Sequence, residues 1–113
     1  MWLIDHSATL YFHHNWASAG SASRSVFSLI KDHALLPFAD RLVEADASAR
    51  VVLTAEVITG IVELIPDVWL QGRIVPFADP AEHRRPYAEF LRSRLTASAL
   101  FVAEANRVRA ERV

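Results

Sequence analysis

The sequence runs to 113 residues, contains no cysteine and carries a formal net charge of −1 at neutral pH. Disulfide staples and thiolate-held zinc are therefore excluded, the length suits one domain, and no apolar stretch is long enough to cross a bilayer. Hydrophobic residues make up 52% and charged residues 22%, the balance of a globular protein rich in apolar surface. Such a chain either fills its helices with Ala and Val or holds part of that surface against a partner.

Charge is unevenly placed. Residues 1–79 sum to −4 and residues 80–113 to +3. A basic end of this kind suits the solvated face of a terminal helix better than a nucleic-acid contact. All the bases but Lys31 are arginine. The N-terminus shows no basic segment followed by a long apolar run, so no signal peptide is expected and a cytoplasmic location is.

In chain order, residues 1–12 read as two short strands. Trp2, Leu3 and Ile4 are strand-like, Asp5-His6-Ser7 interrupts them, and Ala8 to Phe12 returns to β-branched and aromatic character. A lone strand pair is unstable in water, so it must lie on helices or complete a sheet. Asn15 to Ser25 is dominated by Ser, Ala and Gly and reads as a loop. Phe27 to Leu36 suggests a short helix or turns ended by Pro37, which pushes the residue before it out of the helical region. Phe38 to Val43 is read as a further helical turn, and Glu44 to Arg50 as a polar loop.

The clearest helix follows. Thr54 is a suitable N-cap, and Val57, Ile58, Ile61, Val62 and Ile65 recur at three- and four-residue intervals on one stripe. Gly60 weakens this helix unless it serves close packing. Pro66 opens a short segment to Leu70. Asp79, Pro80 and Glu82 form a start signal for the next helix, with Tyr87, Phe90, Leu91 and Leu95 on its apolar side. Pro86 leaves open a start there instead. A last helix spans about Ser98 to Arg109, with Phe101, Val102, Ala105 and Val108 inward. The fold class is mainly α: a small bundle of four to five helices with a short N-terminal strand pair, in one domain over residues 1–113.

The unusual polar residues gather at the front: Asp5, His6, His13, His14 and Asn15. Three chemistries fit them. A carboxylate at a strand end offers oxygen to magnesium, which in turn holds nucleotide phosphates. Imidazoles of His6, His13 and His14 with Asp5 are a zinc-type donor set, which would make a small metal-dependent hydrolase. Adjacent His13 and His14 point to opposite faces of a strand, so at most one of them joins such a site. A purely structural role, with backbone amides on the carboxylate, is the third. Elsewhere, His33 reads as a surface residue. His83-Arg84-Arg85 reads as a solvated basic turn, or less readily as a phosphate or nucleic-acid contact. Trp2, Trp16 and Trp69 read as core or rim anchors. The three glycines are isolated, so no phosphate-cradling loop is present.

The run Trp2-Leu3-Ile4-Asp5-His6-Ser7-Ala8-Thr9-Leu10-Tyr11-Phe12-His13-His14-Asn15-Trp16 resembles a segment found in a bacterial branch of HipA-like kinases, which share their fold with protein and phosphatidylinositol kinases. The stretch KDHALLPFADRL, residues 31–42, is similar to a segment that follows in the same branch. The resemblance implies that Asp5 holds the magnesium bridging the ATP phosphates and that His6 adjoins the cofactor site. His13 and His14 match the family pair, for which no role is inferred. Ser7 stands where the pattern has glycine. The family's phosphate loop, strand lysine and catalytic-loop Asp and Asn precede the Ile-Asp-His motif, while Lys31, the sole lysine here, follows it. The expectation is a C-terminal kinase lobe without its ATP-binding lobe, not catalytic alone, taking Mg2+ and ATP only when a missing lobe or partner chain completes the site. The alternative is a helical dimerisation module that pairs through an exposed strand edge or the apolar face of residues 57–65.

Overall fold

The computed structural model describes residue 17, residues 19–72 and residues 76–112. The strand pair expected over residues 1–12 lies outside the described residues. Within them the chain is helical, with five α-helices and three short 3-10 turns.

Helix α1, Ala19–Ala22, is a single turn inside the segment read as a loop. It is tied down by Ser23, whose hydroxyl donates to the Gly20 carbonyl at 2.8 Å and lies 2.7 Å from the Ser93 hydroxyl. Ser23 is fully buried, so the docking of this turn rests on a satisfied pair of hydroxyls. Two 3-10 turns follow, Ser28–Asp32 and Leu36–Phe38. The break expected at Leu36 falls earlier instead: His33 is extended, and Leu36 and Pro37 open the second turn, where a proline fits at the start. His33 is exposed, as its reading required, and its Nδ1 accepts from the Leu35 amide at 3.2 Å.

Helix α2 spans Leu42–Val52, which corrects the reading of residues 44–50 as a loop. Polarity misled there. Ala45, Ala47 and Ala49 are the best helix formers, and Arg50 pairs with Asp46 one turn back at 3.1 Å.

Helix α3, Ala55–Glu63, begins as expected: the Thr54 side chain accepts from the Val57 amide at 3.3 Å. Its stripe divides. Ile58 and Val62 are buried against α4, whereas Val57 and Ile61 are exposed. A Cβ on Gly60 would meet nothing within 4 Å, so this glycine does not serve close packing. The 3-10 turn Asp67–Trp69 follows Pro66. Trp69 is 75% exposed, a correction to its reading as an anchor.

Helix α4 runs Pro80–Thr96 straight through Pro86. Its start matches the signal: Asp79 Oδ1 accepts from the Glu82 amide at 2.7 Å, and Glu82 Oε2 accepts from the Ala78 amide at 2.6 Å. Pro86 removes one interior amide, but the helix continues because His83, Ala88 and Phe90 are buried on either side of it. Helix α5, Ser98–Arg112, buries Ala105 and Val108, while Phe101 and Val102 are half-buried. Ala105 and Val108 form a small core with Leu36, closed by Ile30 and Leu42. Thus α2 and the first two 3-10 turns pack on α5, α1 and α3 pack on α4, and α4 meets α5.

Candidate functional site

Asp5, His6, His13 and His14 lie outside the described residues, as do Trp2 and Trp16. Among the described residues, no group of three or more His, Asp or Glu side chains is arranged to hold a metal ion. No helix among them is long and apolar enough to cross a membrane.

The described part has two distinctive features. The first is the groove between α3 and α4. It encloses about 350 Å³, the lower end of the size of small-ligand sites. Small side chains make the space: Ala81 and Ala88 of α4 face Val62 of α3. Arg84, Arg85 and Arg92 line it, with Thr59 and Glu63 from α3. Spacing places the arginines there, since positions 85 and 92 lie two turns apart on one helix face.

Each arginine is held differently. Arg84 donates to the Ile65 carbonyl at 2.5 Å and to the Asp67 carboxylate, so it pins the chain after α3 onto α4. Its Nε is buried and has no hydrogen-bond partner among the described residues. Arg92 donates to the Thr59 hydroxyl at 2.5 Å, crossing the groove. Arg85 is exposed and forms no ion pair among the described residues. Further along α3, Glu56 is shifted below the usual carboxylate range. Its own backbone amide and the Thr54 hydroxyl favour the charged form, helped by Arg92.

His83 does not belong to a solvated turn, which corrects that reading. It is 3% exposed, stacks on Phe77 at 4.6 Å between ring centroids and lies 5.8 Å from the Tyr87 ring. The basic tripeptide therefore splits: one residue enters the interior and two reach the groove. A helical 100° step per residue achieves that, but triplet composition alone does not reveal it.

The second feature is apolar exposure. On the far side of α3 and beyond it, Val57, Ile61, Leu64, Val68 and Trp69 are all exposed. Phe27, Leu29, Leu35 and Phe38 are exposed beside the α5 core. An apolar cavity of about 280 Å³, lined by Val26, Phe27, Phe101 and Val102, opens there. Arg94 closes one wall, its guanidinium 4.2 Å from the Phe101 ring centroid.

Comparison with known proteins finds no matching family, no similar curated protein and no similar solved structure.

Proposed function

We propose that this chain is the helical C-terminal part of a HipA-like kinase, silent in phosphoryl transfer until an ATP-binding lobe is seated on it. The observation that carries the reading is the sequence from Trp2 to Trp16 around Asp5 and His6. Asp5 would hold the magnesium that bridges the ATP phosphates, and His6 would adjoin that site. Phosphoryl transfer is positioning plus neutralisation of charge. One carboxylate supplies neither without a phosphate loop, a strand lysine and a catalytic-loop Asp and Asn. The exposed apolar side chains of α3 and of the α5 side support the reading, because a lobe seated there would remove them from water.

The test is complementation. The chain alone, titrated with ATP and magnesium in a calorimeter, should show no binding. Joined to the ATP-binding lobe of a HipA-like kinase, it should give magnesium-dependent autophosphorylation that Asp5→Asn abolishes. Micromolar ATP binding by the chain alone, or activity indifferent to Asp5→Asn, would refute the reading.

A second reading, a helical interaction module without catalysis, is favoured by the outer face of α3. Val57, Ile61 and Leu64 repeat at four and three residues and continue into Val68 and Trp69, the spacing of a helix–helix seam. In that reading a second copy covers the face. Light scattering behind size exclusion separates the two, since a monomer at high concentration counts against self-association.

A further inference from the structure

We propose that the groove between α3 and α4 binds a small phosphomonoester, with the phosphate held by Arg85 and Arg92 and the remainder of the molecule on the apolar floor. The inference is independent of the kinase reading, because none of the groove residues belongs to the N-terminal motif.

Three observations converge. The first is charge. Arg84, Arg85 and Arg92 meet one acid, Glu63, along the groove wall, in a chain whose net charge is −1. Arg84 is already committed to Asp67, so the excess charge is that of Arg85 and of Arg92, whose charge Glu56 partly offsets. The second is donor supply. A guanidinium carries five N–H donors in a rigid fork that matches phosphate oxygens. Arg85 forms no ion pair among the described residues, and Arg92 spends one amino group on Thr59. The third is shape. The groove encloses about 350 Å³, more than a lone phosphate fills, and its floor of Val62, Ala81 and Ala88 is apolar. A phosphate with a flat or apolar substituent uses both parts.

Thr59 and Glu63 set the selectivity. The Thr59 hydroxyl oxygen accepts a hydrogen bond from Arg92 and so fixes that fork over the groove. Glu63 forms no ion pair among the described residues. It repels an approaching anion, which weakens binding, and most for the ligand with the larger charge.

The experiment is an NMR titration of the full chain with phenyl phosphate and, separately, with inorganic phosphate. Saturable shifts confined to α3 and α4 are expected. Phenyl phosphate should bind about tenfold more tightly if the floor is used. Equal affinities would leave the phosphate contact standing and remove the substituent subsite. Arg85→Ala and Arg92→Ala should each weaken phenyl phosphate by about tenfold, the usual loss of a charge-assisted hydrogen bond. Glu63→Gln should tighten it, and Arg112→Ala, at the far end of α5, should leave it unchanged. Arg92→Lys keeps the charge without the fork and should recover only part of the loss. No saturable shift with either probe, or binding insensitive to both Arg85→Ala and Arg92→Ala in folded protein, overturns the proposal.

Discussion

His83 on α4 donates a hydrogen bond from Nδ1 to the main-chain oxygen of Leu70, 3.0 Å away. A carbonyl only accepts, so the hydrogen sits on Nδ1. Both residues are almost fully buried, at 3% and 4% exposure, and the bond fastens the chain leaving α3 to the first turn of α4. The imidazole therefore acts as a rivet between two elements as well as a stacking partner for Phe77. His83→Ala should destabilise the fold by about 3 kcal/mol, through loss of the ring and an orphaned carbonyl. His83→Phe keeps a ring but leaves the Leu70 oxygen unpaired, and should cost about 1–2 kcal/mol. Urea unfolding midpoints at constant slope give both values. Equal costs for the two variants would mean that the packing of the ring contributes nothing beyond the hydrogen bond.

Next to that ring, burial raises the Tyr87 hydroxyl above its ordinary titration range. The charged form of tyrosine is the deprotonated one, so the folded state holds its proton to higher pH than the unfolded chain does. Stability from this group is complete below the unfolded value, about 10. It falls as pH rises from there through the folded value. Tyr87→Phe should flatten the alkaline limb of the stability curve relative to the parent. Identical limbs in the two proteins would contradict the assignment.

Gly60 stands in the middle of α3 with open space where a Cβ would project. Glycine there loses backbone entropy that alanine does not. Gly60→Ala should stabilise the chain by about 0.5–1 kcal/mol, read as a rise in melting temperature. A fall in melting temperature would mean that a neighbour occupies that space in solution.

The helix ends were legible because caps are local chemistry. Thr54 and Asp79 accept from amides three residues on, and both were apparent from residue type and spacing alone. Helix α2 was not legible, since its alternating Ala, Ser and Asp mimics a loop and its apolar residues Val43, Val51 and Val52 remain exposed. The division of the α3 stripe also needed the fold. Periodicity shows which residues share a face of α3, but not that α4 covers Ile58 and Val62 and leaves Ile61 bare. The α3–α4 groove was legible only in part: Arg84 and Arg85 stood out, while Arg92 and Thr59 join them only through packing at a distance in sequence.

The reciprocal cap of α4 provides a quantitative check on that local chemistry. Asp79→Ala removes the acceptor for the Glu82 amide and leaves Glu82 to hold the Ala78 amide alone. The loss should be about 1 kcal/mol. Asp79→Asn retains a cap and should restore most of it. Chemical denaturation of the two variants against the parent decides whether the start of α4 is set by the cap or by the packing of His83 one turn later.

Surface and core follow different rules on α3, and that difference tests what covers the outer face. Leu64 is 79% exposed and Trp69 is 75% exposed, so Leu64→Lys and Trp69→Lys remove few contacts within the chain. Their effect on stability should stay within about 0.5 kcal/mol. Val62→Ala, by contrast, opens a cavity against α4 at a site only 4% exposed, and should cost about 2 kcal/mol. If a second copy or an ATP-binding lobe covers the outer face, the two lysine variants should lose association or complementation while unfolding at the parental urea concentration. A charge placed in such an interface is stripped of water without a partner. If instead both variants unfold early, the face belongs to the interior of this chain, and neither a lobe nor a second copy is needed to explain its apolar character.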